Sequence, residues 1–134
     1  MSKKSSEFVI DEKWYAFAQD DLKIVRTLYQ QKEKIHRGIC FHAQQYAEKI
    51  LKGILAAKRI KPPRVHDVVA LNELCKENDI KIPISDDELQ FLSSVYIDVR
   101  YPPDVGLLPG GEPTEEHSKL AFEIVMNLDQ WVKG

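Results

Sequence analysis

Arg100 ends a helical pattern that also carries Tyr96, and the four-residue spacing puts both side chains on one face at the helix's end. A guanidinium that opens there onto Tyr101-Pro102-Pro103 can grip phosphate through two parallel donors. The same group could instead pair with Asp21 or Glu48 and hold helices together. His66-Asp67 is the second candidate. An imidazole titrates near neutrality and can move protons in a cleft, or it can simply bond to nearby backbone at a helix start. The third is the set Gln45, Glu48, Lys49 and Lys52, which about 100° per residue brings within roughly a quarter turn of one another. They form the polar wedge of an otherwise apolar helix, either as a solvated face or as the lining of a cleft. Lys32, Lys34 and Arg37 precede or open that helix, and Lys58, Arg59, Lys61 and Arg64 follow it. Such charge steers polyanions or keeps a protein dissolved.

Other chemistries fall away. The chain has no GxxxxGK[ST], no GxGxxG after a strand and no HExxH. The spacing of His36, His42, His66 and His117 proposes no metal site, and no cofactor is implied. Cys40 and Cys75 are lone thiols among apolar neighbours, read as buried fillers in a reducing compartment. No apolar run reaches the roughly 20 residues of a membrane helix, and Met1–Ser6 does not resemble a signal peptide. A cytoplasmic protein without a membrane partner is expected. Nineteen Lys/Arg against twenty-one Asp/Glu give a net charge of −2, which excludes a wholly cationic nucleic-acid coat. The charge is uneven: residues 1–67 carry +6 and residues 68–134 carry −8. Opposite-signed patches within one fold or across a dimer would follow.

The elements that must position these groups are helices. Apolar residues recur near every 3.6 positions, and the 134 residues suit one domain. The first helix spans about 11–31, with Trp14, Phe17, Ala18, Val25 and Leu28 inward; Asp21 falls inside that stripe and needs a partner if buried. The second spans about 35–59 and is apolar around most of its circumference, hence central, and the prolines 62 and 63 break it. A short helix from 66 or 67 to about 78 turns Val69, Leu71, Leu74 and Cys75 inward. Ser85 and Glu88 form a capping box for a fourth helix over 86–100, with Leu89, Leu92, Val95, Tyr96 and Val99 inward. Residues 101–112 are the longest loop. A last helix over 113–132 starts with Pro113 at its first position and seals with Leu120, Ile124, Leu128 and Trp131. The expectation is an all-α, antiparallel up-and-down bundle of about five helices, with residues 1–11 loosely ordered.

Four blocks in this order resemble the HEPN domain (higher eukaryotes and prokaryotes nucleotide-binding). They are Trp14…Ala18-Gln19-Asp20-Asp21-Leu22, Phe41-His42-Ala43-Gln44-Gln45-Tyr46-Ala47-Glu48-Lys49-Ile50-Leu51-Lys52, Val65-His66-Asp67-Val68, and Tyr96-Ile97-Asp98-Val99-Arg100-Tyr101-Pro102. The similarity covers residues 12–133. It implies a helical bundle that commonly forms a homodimer, and a prokaryotic setting beside a minimal nucleotidyltransferase in toxin–antitoxin-like pairs. It further implies a cleft for a nucleotide or RNA phosphate shaped by Asp21, Gln45, Glu48, Lys49, Lys52, His66, Arg100 and Tyr101. Many such proteins are metal-independent ribonucleases bearing an Arg, four to six residues, then a His. Arg100 matches the arginine, but Val105, Gly106 and Leu107 fill the histidine register. Arginine stays protonated and is a poor proton acceptor, so an enzyme would need His66 or His117 as a substitute. The sequence therefore leans towards binding rather than catalysis.

Overall fold

A computed structural model describes the backbone of residues 10–100 and 112–134, and the side chains of 10–95 and 112–134. Within them are five helices and no strand: α1 (Glu12–Gln30), α2 (His36–Ala57), α3 (Val68–Glu77), α4 (Asp86–Arg100) and α5 (Glu115–Lys133). The expected all-α bundle is what forms.

Four of the five starts are fixed by a side chain that satisfies free amides of a first turn, while α2 begins after Ile35 without such a cap. Asp11 accepts from the amides of Lys13 and Trp14, and Asp67 from those of Val69 and Ala70. Ser85 and Glu88 make the expected capping box. For α5 the cap is Thr114, whose hydroxyl accepts the His117 amide at 3.4 Å while His117 Nδ1 accepts the Thr114 amide at 2.9 Å. Pro113 thus lies outside the helix and is buried, not its first residue.

The end of α2 also differs in cause from the expectation. The helix stops at Ala57, before the prolines come into play. Arg59 takes a left-handed φ of 63°, its amide donates to Ala56 and the Ile60 amide reaches back to Leu55 at 2.9 Å. This is a Schellman cap, and α3 ends the same way, with Asp79 at φ 62° and Ile80 bonded to Cys75.

Helix directions follow from paired positions. The Asp11 amide meets the Gly53 carbonyl at one end, and Leu28 covers Gly38 at the other, so α1 and α2 are antiparallel. Gly53 admits this approach: a Cβ there would sit 2.7 Å from Ile10 Cγ1 and 2.9 Å from Trp14 Cβ. Ile10 and Asp11 are therefore held against α2, while residues 1–9 of the segment expected to be loose lie outside the described residues. Ser118 meets His36 and Asp129 meets Tyr46, so α5 runs alongside α2 in the same direction, as alternate helices of an up-and-down bundle do. Lys76–Asp86 and Ser93–Asp67 contacts fold α3 and α4 into an antiparallel hairpin.

The core centres on α2, whose Ile39, Cys40, Ala43, Tyr46, Ala47, Ile50, Leu51, Ile54 and Leu55 are almost wholly buried. Phe17, Leu120 and the half-buried Trp14 were expected in it and are not. Phe17 is 58% exposed, because α1 meets α2 along Ala18, Asp21, Leu22 and Val25. Leu120 is also exposed, because α5 packs through the smaller Ser118 and Ala121 beside Ile124, Val125 and Leu128. Tyr96 and Val99 lie outside the described side chains. Among the described residues no helix is long and apolar enough to cross a membrane.

Candidate functional site

The polar wedge of α2 is not a solvated face. Glu48 is 4% exposed and Lys52 is buried beside it, with Lys52 Nζ 3.0 Å from Glu48 Oε2. Burying charge is costly unless partners replace water, and here they do. His66 Nδ1 lies 3.1 Å from Glu48 Oε1, and the Gln44 amide donates to the same oxygen at 3.4 Å. Gln44 also donates to the His66 carbonyl at 2.6 Å, which ties the segment before α3 to the middle of α2. Gln45 donates to Gln44 Oε1 at 2.9 Å. The Lys52 ammonium sits 5.8 Å from the Trp14 ring centroid, so an aromatic face helps to desolvate it.

A second ion pair flanks the first, on the α1 side. Asp21, buried inside the α1 stripe, has both oxygens engaged by α2: His42 Nδ1 is 2.7 Å from Oδ1, and Lys49 Nζ donates to Oδ2. This supplies the partner that a carboxylate in an apolar stripe requires. Two carboxylates, two ammonium groups and two imidazoles thus line one side of α2 between α1 and the start of α3. Glu48 and Asp21 are the buried anchors, while His66, with more than half its side chain exposed, and Lys49 reach towards solvent.

The structure accordingly brings together Asp21, Gln45, Glu48, Lys49, Lys52 and His66. The His66 ring engages a carboxylate. His117 is not among them. It belongs to the cap of α5, stacked on Phe91 at 5.8 Å, and its neighbour Ser118 contacts His36, about 18 Å along α2 from Glu48. Arg100 is the last helical residue of α4, two turns beyond Ser93, which contacts Asp67. Its side chain and all of Tyr101 lie outside the described residues.

Three participants are absent from the sequence reading. His42 and Gln44 lie next to residues assigned to the wedge, and their i+7 and i+4 spacing to Lys49 and Glu48 is the signal that could have found them. Asp129 is a separate buried node where α5 meets α1 and α2. It accepts from Tyr46 Oη at 3.3 Å, and Arg26 and Lys133 approach it at 3.4 and 3.0 Å. Burial, and then the neighbouring Asp129 charge, push the Tyr46 phenol well above its ordinary range. Among the described residues no group of three or more His, Cys, Asp and Glu is arranged to hold a metal ion.

None of the curated proteins matches the chain. Among solved structures it is similar to the crystal structure of TT1696 from Thermus thermophilus, with a TM-score of 0.63 and 23% identity over 90% of this chain and 94% of that one. That likeness concerns the fold. Residues 12–134 match the HEPN domain. The chain is a member of the HEPN family, a helical protein of the nucleotide- and RNA-related kind.

Proposed function

We propose that this HEPN protein binds a nucleotide or RNA phosphates in a cleft beside the polar face of α2. It does so in the cytoplasm as a homodimer, without a metal or cofactor. It serves as the partner of a minimal nucleotidyltransferase in a prokaryotic toxin–antitoxin-like pair.

The observation that supports the binding reading most is Glu48 held between Lys52, His66 and Gln44. A packed apolar replacement for a buried ion pair is often as stable or more so, so stability alone gives little reason to keep these charges. Their effect is to hold the half-exposed His66 ring at a fixed position, as Asp21 holds Lys49 beside it, which is what recognition of an anion needs. Arg100 and Tyr101 complete the proposed cleft from the end of α4, with Arg100 as the phosphate grip, while Gln45 supplies an amide for a base or sugar. The unfilled histidine register after Arg100 is why binding is placed ahead of cleavage. Titration of ATP and of a short RNA into the wild type should show binding that Arg100→Ala abolishes with the helical spectrum unchanged; equal binding by the variant would refute the assignment.

A second reading, a metal-independent ribonuclease, draws support from the His66–Glu48 pair, since a carboxylate orients an imidazole for proton transfer. It predicts RNA cleavage in EDTA that His66→Ala removes. Cleavage that survives His66→Ala, or no cleavage at all, rejects that role for His66. His117, engaged in its own helix cap, is the weaker substitute.

A further inference from the structure

The link between α2 and α3 carries Lys58, Arg59, Lys61 and Arg64 within seven residues, all exposed. None of the four has a carboxylate within ion-pair distance among the described residues, unlike Arg26, Arg37, Lys49, Lys52, Lys76 and Lys133. No helix or strand forms between Lys58 and Asp67, and Pro62 and Pro63 hold the chain away from helical conformations. The four cations therefore lie along one irregular segment that can span at most about 20 Å. Arg59 holds its place at φ 63°, where glycine would be free of strain. The segment ends at His66, whose ring contacts Glu48.

We propose that this connector is a track for the backbone of single-stranded RNA, several phosphates long, leading to the His66 side of the cleft. The inference rests on the nucleotide and RNA-phosphate reading above and gives its substrate class: an extended polyanion rather than a lone nucleotide. A row of separated, unneutralised cations matches a row of phosphates, and a single triphosphate engages only part of it. An anionic membrane fits less well. Interfacial binding needs an apolar face to insert, and along this segment the large exposed hydrophobic residue is Val65 alone, at 37%.

The test is the salt dependence of binding by the full chain and by the variant Lys58→Gln, Arg59→Asn, Lys61→Gln, Arg64→Gln, with ATP titrated in parallel. All four side chains are exposed, and asparagine tolerates a left-handed φ, so the variant should melt as the wild type does. Four neutralised phosphates on a single strand give a slope of log K against log salt of about −3, or a loss of about 50-fold in RNA affinity between 50 and 200 mM salt. The expected result is a variant slope shallower than the wild type's by about that amount, with weakened RNA binding, and equal ATP binding by both. RNA binding with an unchanged slope in the variant overturns the inference while leaving the ATP cleft standing. Binding to phosphatidylserine vesicles that needs the four cations, without RNA binding, overturns it too. RNA binding that needs the four cations, in a protein that binds no ATP, supports the track and counts against the nucleotide cleft.

Discussion

His66 Nδ1 lies 3.1 Å from Glu48 Oε1, joining an imidazole at the surface to a carboxylate that is all but sealed from solvent. The pair connects the segment before α3 to the central helix, and Lys52 supplies the neighbouring counter-charge at 3.0 Å. Glu48 is therefore both a structural anchor and the group that sets the position of His66.

Removing the anchor should be costly. Glu48→Ala leaves the buried Lys52 ammonium without its counter-charge, and breaking one side of a buried pair costs about 3–5 kcal/mol. Denaturant unfolding checks this. His66→Ala, whose side chain is mostly exposed, should cost less than about 1 kcal/mol in the same assay.

Two glycines should respond differently to alanine. Gly53→Ala drives a Cβ against Ile10 and against Cβ of Trp14, which sits on the α1 backbone and cannot swing aside, so α1 must shift. A loss of about 1–3 kcal/mol is expected. Gly38→Ala meets Leu28 Cδ1 at 2.8 Å, the end of a side chain that can rotate, and helix propensity works in its favour. Its melting temperature should fall less than that of Gly53→Ala.

Alkaline pH should destabilise the fold. Burial raises the Cys40 thiol to about 12 and the Cys75 thiol to about 11. Tyr46 is shifted upward as well, first by burial and then by Asp129. In each case the folded chain keeps a proton that the unfolded chain gives up, so this contribution is complete below the ordinary thiol value of 9.0 and shrinks as pH rises through the folded values. Unfolding midpoints should be flat up to about pH 9 and decline beyond it. A thiol reagent at pH 8 should label neither cysteine until denaturant is added, because both are buried and free.

Asp129 offers a further check. It is buried and has donors from α1, α2 and α5 around it, so Asp129→Ala strands the Tyr46 hydroxyl and loosens three helices at once. A loss of about 2–4 kcal/mol should appear in equilibrium unfolding, with ligand binding in the α2 cleft retained.

Much of the fold was legible in the sequence because the apolar period marks the helices and the Ser85–Glu88 capping box forms as expected, although Asp11 and Asp67, read as helical residues, are the caps of their helices. The errors have physical causes. Phe17 and Leu120 looked inward by hydrophobicity, but close helix approach favours small residues, and Ala18, Ser118 and Ala121 took those places. A Schellman cap needs no glycine, so Arg59 and Asp79 gave no stop signal. The candidate site was legible as a wedge on α2, with Asp21 inside an apolar stripe. That Glu48 and Lys52 are interior depends on how α1 and the segment before α3 close over them, which is a tertiary fact. Asp129 was hidden for the same reason, since its donors lie about eighty to one hundred and ten residues away in sequence or on its own helix.

Whether the polar face of α2 is a ligand cleft is decided by following backbone amide resonances while ATP and then a short RNA are added. The largest changes are expected at Gln45, Glu48, Lys49 and His66 and at the end of α4, and they should be lost in Arg100→Ala. Changes confined to the outer face of α5, or none at saturating ligand, would contradict it.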